Sequence, residues 1–186
     1  MKRVFDFIFA LLLLVILFIP VLIVAIAIKL SSPGPVIYWS DRVGKNNKIF
    51  SMPKFRTMCI DTPAVATHLL QNVEHYLAPL GSFLRRTSLD ELPQLWSILR
   101  GNMSFVGPRP ALFNQDDLIK LRTEKEISKL QPGITGWAQI NGRDDIPIPI
   151  KVLYDEYYMK NQSFFFDLKI LWNTFFKVIK KEGVVH

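Results

Sequence analysis

From residue 4 to residue 28 every side chain is apolar except Asp6, with Lys2 and Arg3 before the run and Lys29 after it. As one unbroken helix this stretch would reach roughly 37 Å at about 1.5 Å per residue, enough to cross a hydrocarbon core of ~30 Å. Pro20 interrupts that simple picture. A proline inside a helix removes one backbone hydrogen bond and collides with the carbonyl four residues back, so a bend or break is expected within residues 15–19. No small-residue cleavage site follows, which argues against a cleaved signal peptide. Two forms remain: an ordinary span with a tolerated proline, and a re-entrant helix that enters one leaflet, bends at Pro20 and leaves by the same face. Positive charge at both ends favours the second, because the positive-inside rule then keeps both ends in the cytoplasm.

The 186 residues make one domain, or one domain with a membrane element, long enough for a hydrophobic core. Apolar content of 49% combines with a formal charge of +7, and mean hydropathy is +0.20. High hydropathy with high basicity suits a chain seated on an anionic membrane surface and handling anionic ligands. A nucleic-acid partner fits poorly, since the aromatic residues cluster with aliphatics near both ends instead of alternating with bases. The single cysteine, Cys59, permits no internal disulfide, consistent with a reducing cytoplasm.

The densest chemistry lies in Ser88-Leu89-Asp90-Glu91-Leu92-Pro93-Gln94-Leu95-Trp96 and in Gly107-Pro108-Arg109-Pro110. Asp90 and Glu91 follow Arg85 and Arg86 and precede Arg109, so acid and base alternate within an apolar neighbourhood. A site for phosphate and a divalent metal needs this mixture: carboxylates hold the metal, guanidinium groups grip phosphate oxygens. A purely structural account also exists, because Ser88 with Glu91 matches a helix capping box. Starting the helix at Asp90 instead places Pro93 at its third position, where a missing N–H matters little. Either start puts Asp90 at a helix amino end, where the dipole is expected to keep it ionised. Arg109 is bracketed by prolines that restrict the backbone and reduce the entropy lost on gripping an anion.

Elsewhere, residues 31–35 read as a stiff linker, 36–39 as a strand, 41–47 as a turn, and 48–58 as a second strand carrying Lys54 and Arg56. Pro53 confines that second strand to a sheet edge. Residues 61–80 read as a helix bearing His68 and His75, a pair better suited to a surface than to a metal. Leu95, Trp96, Ile98 and Leu99 form a helical core face, and 115–130 a charged helix without nameable chemistry. Residues 135–140 look strand-like, and Asn141-Gly142 is a hairpin-turn signal followed by Arg143, which Asp144 or Asp145 could pair. Residues 163–181 form an amphipathic helix. Phe164, Phe165, Leu168, Trp172 and Phe175 lie on its broad apolar side, while Lys169, Asn173, Lys177 and Lys181 form a stripe, an arrangement suited to the membrane interface.

Five runs in order carry a resemblance: Ser32-Pro33-Gly34-Pro35-Val36, Lys54-Phe55-Arg56-Thr57-Met58, the Leu-Asp-Glu-Leu-Pro-Gln run at 89–94, Ser104-Phe105-Val106-Gly107-Pro108-Arg109-Pro110, and Pro132-Gly133-Ile134-Thr135-Gly136-Trp137 leading to Asn141-Gly142-Arg143. Together they resemble the bacterial sugar transferases, the monotopic phosphoglycosyl transferases. The resemblance implies a mainly helical α+β fold: a re-entrant membrane helix over 1–30, and a small cytoplasmic catalytic domain over 31–186 with short strands and a hairpin, closed by a C-terminal interface helix. It implies transfer of a phospho-sugar from a UDP-sugar to polyprenyl (undecaprenyl) phosphate on the cytoplasmic face of the bacterial inner membrane, with UMP released. Asp90 would be the nucleophile and share Mg2+ with Glu91, which would hold metal or handle a proton. Lys54, Arg85, Arg109 and Arg143 would hold phosphates, and Pro20 would make the membrane bend. Direct transfer in a ternary complex, or a non-catalytic scaffold for glycan assembly, are the alternatives. The sugar and the oligomeric state stay open. Two positions depart from the pattern: Ile19 and Ser40 stand where relatives often carry Ser and Gln. Ile19 cannot bond a carbonyl freed at the bend.

Overall fold

The computed structural model describes residues 1–62, 73–142 and 146–179. The apolar run breaks where expected, at Leu17, into α1 (Lys2–Ile16) and α2 (Phe18–Ser31), bent by 63°. Pro20 is the third residue of α2, where an N–H would have no intrahelical acceptor in any case, so it helps start a helix instead of puncturing one. The break is bridged by backbone bonds, Leu17 N–H to Leu13 O at 2.8 Å and Val21 N–H to Leu17 O at 2.9 Å. Ile19 is exposed. Among the described residues no single helix is long and apolar enough to cross a membrane; only the bent pair is, by length and composition.

Polar residues at the start of α1 tie it to the rest of the chain. The Arg3 guanidinium donates to the carbonyls of Ile98 and Leu99, the latter at 2.8 Å, so it satisfies the carboxyl end of α4 (Leu95–Arg100). Lys2 pairs with Asp167. Asp6, the one acid in the apolar run, is buried and accepts the Phe105 N–H at 3.3 Å. Ala10 on the same face joins a core cluster with Leu95, Ile98, Met103, Phe105 and Tyr158, whereas Ile8, Leu11, Leu12 and Val15 stay exposed.

The sheet grows from a hairpin. β1 (Ile37–Val43) and β2 (Ile49–Phe55) pair antiparallel with Trp39 opposite Pro53. Their turn places Asn46 and Asn47 at φ 54° and 59°, a region asparagine tolerates better than most residues. A short strand after α4, β3 (Ser104–Val106), precedes β4 (Ala111–Leu112), which adds to the far side of β1 and leaves β2 at the edge, as Pro53 requires. Arg56 directly follows β2. It is buried and donates to the Ser32 hydroxyl at 2.7 Å, to the Ser32 carbonyl at 3.0 Å and to the Pro33 carbonyl, strapping the 31–35 linker to the sheet.

The third layer differs from expectation. β5 (Gly133–Thr135) pairs in parallel with β3, and the chain then turns into a helix, α6 (Trp137–Gly142), where a strand ending in an Asn141-Gly142 hairpin was predicted. Burial of Ala138 and Ile140 on one face, an Ile140 N–H to Gly136 O bond of 3.1 Å and an Asn141 side-chain bond to Trp137 O at 2.8 Å favour the helix over the local turn preference. The charged stretch is a shorter helix than 115–130, α5 (Asp116–Glu124), followed by a 3-10 turn at Ile127–Lys129. α7 (Ile148–Asn161), unanticipated, packs on α5 around Ala111, Leu118, Ile127 and Val152. α8 (Phe164–Ile179) buries Asp167 and Ile170 and leaves Phe165, Leu168, Trp172 and Phe175 exposed. Lys177, on the basic stripe, is half-buried and its amine donates to Ile140 O; Lys181 lies outside the described residues. Half of the helix predicted over 61–80, with His68, also lies outside them. Val73–Tyr76 is a 3-10 turn, and a six-residue helix, α3 (Gly81–Arg86), follows.

The join between β3 and β5 leaves no room for side chains. A Cβ on Gly133 would stand 2.1 Å from Gly107 N and 2.4 Å from Thr135 O, both backbone atoms that cannot rotate away. Gly133→Ala is therefore expected to lower stability by about 3 kcal/mol, an overpacking cost read as a drop in thermal midpoint of the purified protein. An unchanged midpoint would mean that the 107–110 loop is free to move off β5.

Candidate active site

Ser88 takes a left-handed conformation (φ 55°), and a 3-10 helix, Leu89–Gln94, starts directly after it and hands over to α4 at Leu95. This settles the start, and it is not a capping box: the Ser88 side chain makes no capping bond. Glu91 turns elsewhere. Its Oε1 lies 2.8 Å from Lys54 Nζ and 3.5 Å from Arg109 Nη2, and the Gln94 side chain, three residues on, hydrogen-bonds it as well. The 3-10 turn packs against β2, which presents Lys54 between the two acids, 4.0 Å from Asp90 Oδ2. A lysine on an edge strand thus meets the acidic pair from 37 residues away in sequence. Arg85, on α3, donates to Thr57 Oγ1 at 3.0 Å, and its charge acts on Asp90.

The two carboxyl groups are adjacent in sequence but differ in state. Asp90 is 8% exposed. Burial pushes its carboxyl up, and the nearby Glu91 charge adds to this; Lys54, Arg85 and Arg109 pull the other way, and the balance stands at about 6. Asp90 is thus mostly ionised at neutrality, as expected, but its carboxyl stands above the usual carboxylate range because loss of water outweighs the surrounding cations. For Glu91 burial also acts upward, but Lys54 and Arg109, with hydrogen bonds from Lys54 and Gln94, outweigh it and bring the carboxyl down to about 2. Glu91 therefore carries no proton near neutrality, which favours a fixed-charge or metal-holding role over proton handling.

Of the residues singled out in the sequence, Lys54, Arg85, Asp90, Glu91 and Arg109 converge here. Pro20 sits near the break at Leu17. Arg143, with Asp144 and Asp145, lies outside the described residues. Reading the sequence missed Gln94, although it ends the same motif and its spacing of three from Glu91 was a usable signal. It also missed Thr57 and Arg122.

The donor set fits a magnesium ion in one particular way. Among the described residues no three His, Cys, Asp or Glu side chains gather around a point, and Mg2+ does not require that: it is commonly held by one or two carboxylates, with waters and substrate phosphates completing its shell. Asp90 and Glu91 supply such a pair.

A family profile described as bacterial sugar transferase matches residues 1–181. The chain is 41% identical over 186 residues to the uncharacterized sugar transferase EpsL of Bacillus subtilis, covering 99% of this chain and 90% of that protein. It is 40% identical over 185 residues to the UDP-glucose:undecaprenyl-phosphate glucose-1-phosphate transferase of Escherichia coli, covering 95% of this chain but 40% of that protein. It is also 40% identical over 194 residues to the undecaprenyl-phosphate glucose phosphotransferase of Komagataeibacter xylinus, covering 97% of this chain and 35% of that protein. The chain thus spans nearly all of one relative and well under half of the other two. Five motifs in order, a profile spanning almost every residue, and a buried aspartate among cations agree, and the chain belongs to the bacterial sugar transferases, as an enzyme of phosphoglycosyl transfer.

Proposed function

We propose that this chain moves a phospho-sugar from a UDP-sugar to polyprenyl phosphate by way of a covalent intermediate on Asp90. The observation that carries the reading is Asp90 itself, a nearly buried carboxylate flanked by Lys54, Arg85 and Arg109. An Asp90 carboxylate oxygen attacks the sugar-bearing phosphorus. The bond from that phosphorus to the bridging oxygen breaks, and UMP leaves with the electron pair. A phosphate oxygen of the acceptor then attacks the same phosphorus and displaces the carboxylate, restoring Asp90.

The barrier is partly electrostatic, since an anion approaches an anion. Two like charges about 4 Å apart repel by roughly 4 kcal/mol at an effective dielectric of about 20. Lys54 and Arg109 reduce that repulsion, and Arg85 and Arg143 are assigned to the same task. Magnesium held by Asp90 and Glu91 would supply further neutralisation of phosphate charge when bound.

The exposed apolar faces of α1, α2 and α8 support a seat in one leaflet of the bacterial cytoplasmic membrane, with residues 1–30 as a re-entrant element and 31–186 on the cytoplasmic side. On that reading the lipid acceptor arrives from the bilayer and the nucleotide from water.

The test is a panel of UDP-sugars with undecaprenyl phosphate and Mg2+, scored by UMP release, followed by initial-rate analysis with the active donor. Parallel lines are expected, the pattern of a two-step exchange. Intersecting lines would replace the covalent step with direct transfer. No UMP release from any donor would remove the catalytic assignment and leave a scaffold.

A further inference from the structure

We propose that Arg122 is a positioning residue for Arg109, holding the main chain of the 107–110 loop so that the Arg109 side chain meets Glu91 and the donor phosphates; this rests on the function proposed above. Arg122 lies on α5 and is 7% exposed, and its partner Asp155 lies on α7 and is 1% exposed. Arg122 Nε and Nη2 both donate to Asp155 Oδ2, at 2.9 Å and 2.6 Å. The remaining nitrogen, Nη1, donates to the carbonyl of Arg109 at 2.8 Å. One guanidinium thus joins three elements: its own helix, the helix packed on it, and the loop that enters the site.

The rest of the loop is already pinned through its backbone. Gly107 N–H donates to Thr135 O at 2.9 Å, and Gly133 N–H donates to Pro108 O at 3.0 Å. Arg109 is where the chain leaves β5, and Arg122 continues the support at that residue. With the main chain held on one side, the side chain extends 3.5 Å from Glu91 on the other. An arginine suits the task because its planar fork reaches a carboxylate and a carbonyl at once, whereas a lysine presents one point of charge.

A buried ion pair by itself adds little net stability over a well-packed apolar pair. The pair in this place gains its purpose from the third hydrogen bond. α5 and α7 bear none of the acid–base cluster, yet through this group they set the height of Arg109 above Asp90 and Glu91.

The experiment compares UMP release by Arg122→Lys, Arg109→Ala and the double variant, each in the full chain with the donor that the wild type uses. Arg122→Lys keeps the charge beside Asp155 and is expected to melt close to the wild type, while kcat/KM for the nucleotide-sugar falls about 100-fold, as expected for a group displaced by about 1 Å. In the Arg109→Ala background the same change is expected to have less than about a twofold effect, because its target is gone. Asp155→Asn, which loosens the clamp without emptying it, is held to the same non-additivity and decides the matter if the lysine variant does not fold. Losses that multiply, or a fully active Arg122→Lys beside an impaired Arg109→Ala, overturn this inference alone. A fully active Arg109→Ala instead removes Arg109 from the function proposed above.

Discussion

Asp90→Asn is expected to abolish UMP release, lowering turnover roughly 10⁴-fold or more, the scale seen when an enzyme loses its nucleophile. The substitution changes one atom and removes the negative oxygen that would form the bond to phosphorus. Folding is expected to survive, and there is a specific reason: burial already disfavours the charge on Asp90, holding its carboxyl near 6, so a neutral amide of the same shape suits the site. The variant also separates the proposed chemistry from its rivals. Incubated with a donor labelled in the sugar, wild-type protein is expected to acquire label that hydroxylamine removes, as an acyl phosphate requires, and the asparagine variant none. Label retained on the variant would place the covalent bond on another side chain.

Lys54→Met carries the second largest effect. The amine stands 2.8 Å from Glu91 and 4.0 Å from Asp90, and it is the largest of the influences lowering both carboxyls. A nucleophile must be ionised, so with Asp90 at about 6 in the free protein, wild-type kcat/KM should rise with pH through that value and level off above it. The sign follows from the raised carboxyl: activity is lost as protons are added below about 6. Without Lys54 the same limb moves to higher pH, and turnover at neutrality falls on the order of 100-fold because a cation aimed at the transferring phosphate is also missing. Raising the pH recovers the first part of the loss and not the second. An acid limb unmoved in Lys54→Met would show that Lys54 has no electrostatic hold on Asp90.

What the sequence disclosed and what it hid divide along the reach of each interaction. The break at Leu17 follows from Pro20 and local sterics, and the edge position of β2 from Pro53, so both were legible. Asp90, Glu91, Lys54 and Arg109 were legible through ordered motifs, which carry spatial information that no single window contains. The structural task of Arg56 was hidden because its partners, Ser32 and Pro33, lie in the linker more than twenty residues earlier. Asn141-Gly142 pointed locally to a hairpin, and only packing of Ala138 and Ile140 against distant segments makes it helical. Arg122 looked like one charge among many in a polar helix; its role depends on Asp155 and Arg109, 33 and 13 residues away. The state of Asp90 was hidden for the same reason, since dehydration is a property of the assembled site.

The contact of Arg3 with the carbonyls of Ile98 and Leu99 has a mechanical consequence. The helix that receives this guanidinium is continuous with the turn bearing Asp90, so the bent pair α1–α2 and that turn share one hinge pin. On the membrane seat proposed above, a change in the inclination of that pair would be passed to Asp90, so that lipid packing around it would tune the chemistry.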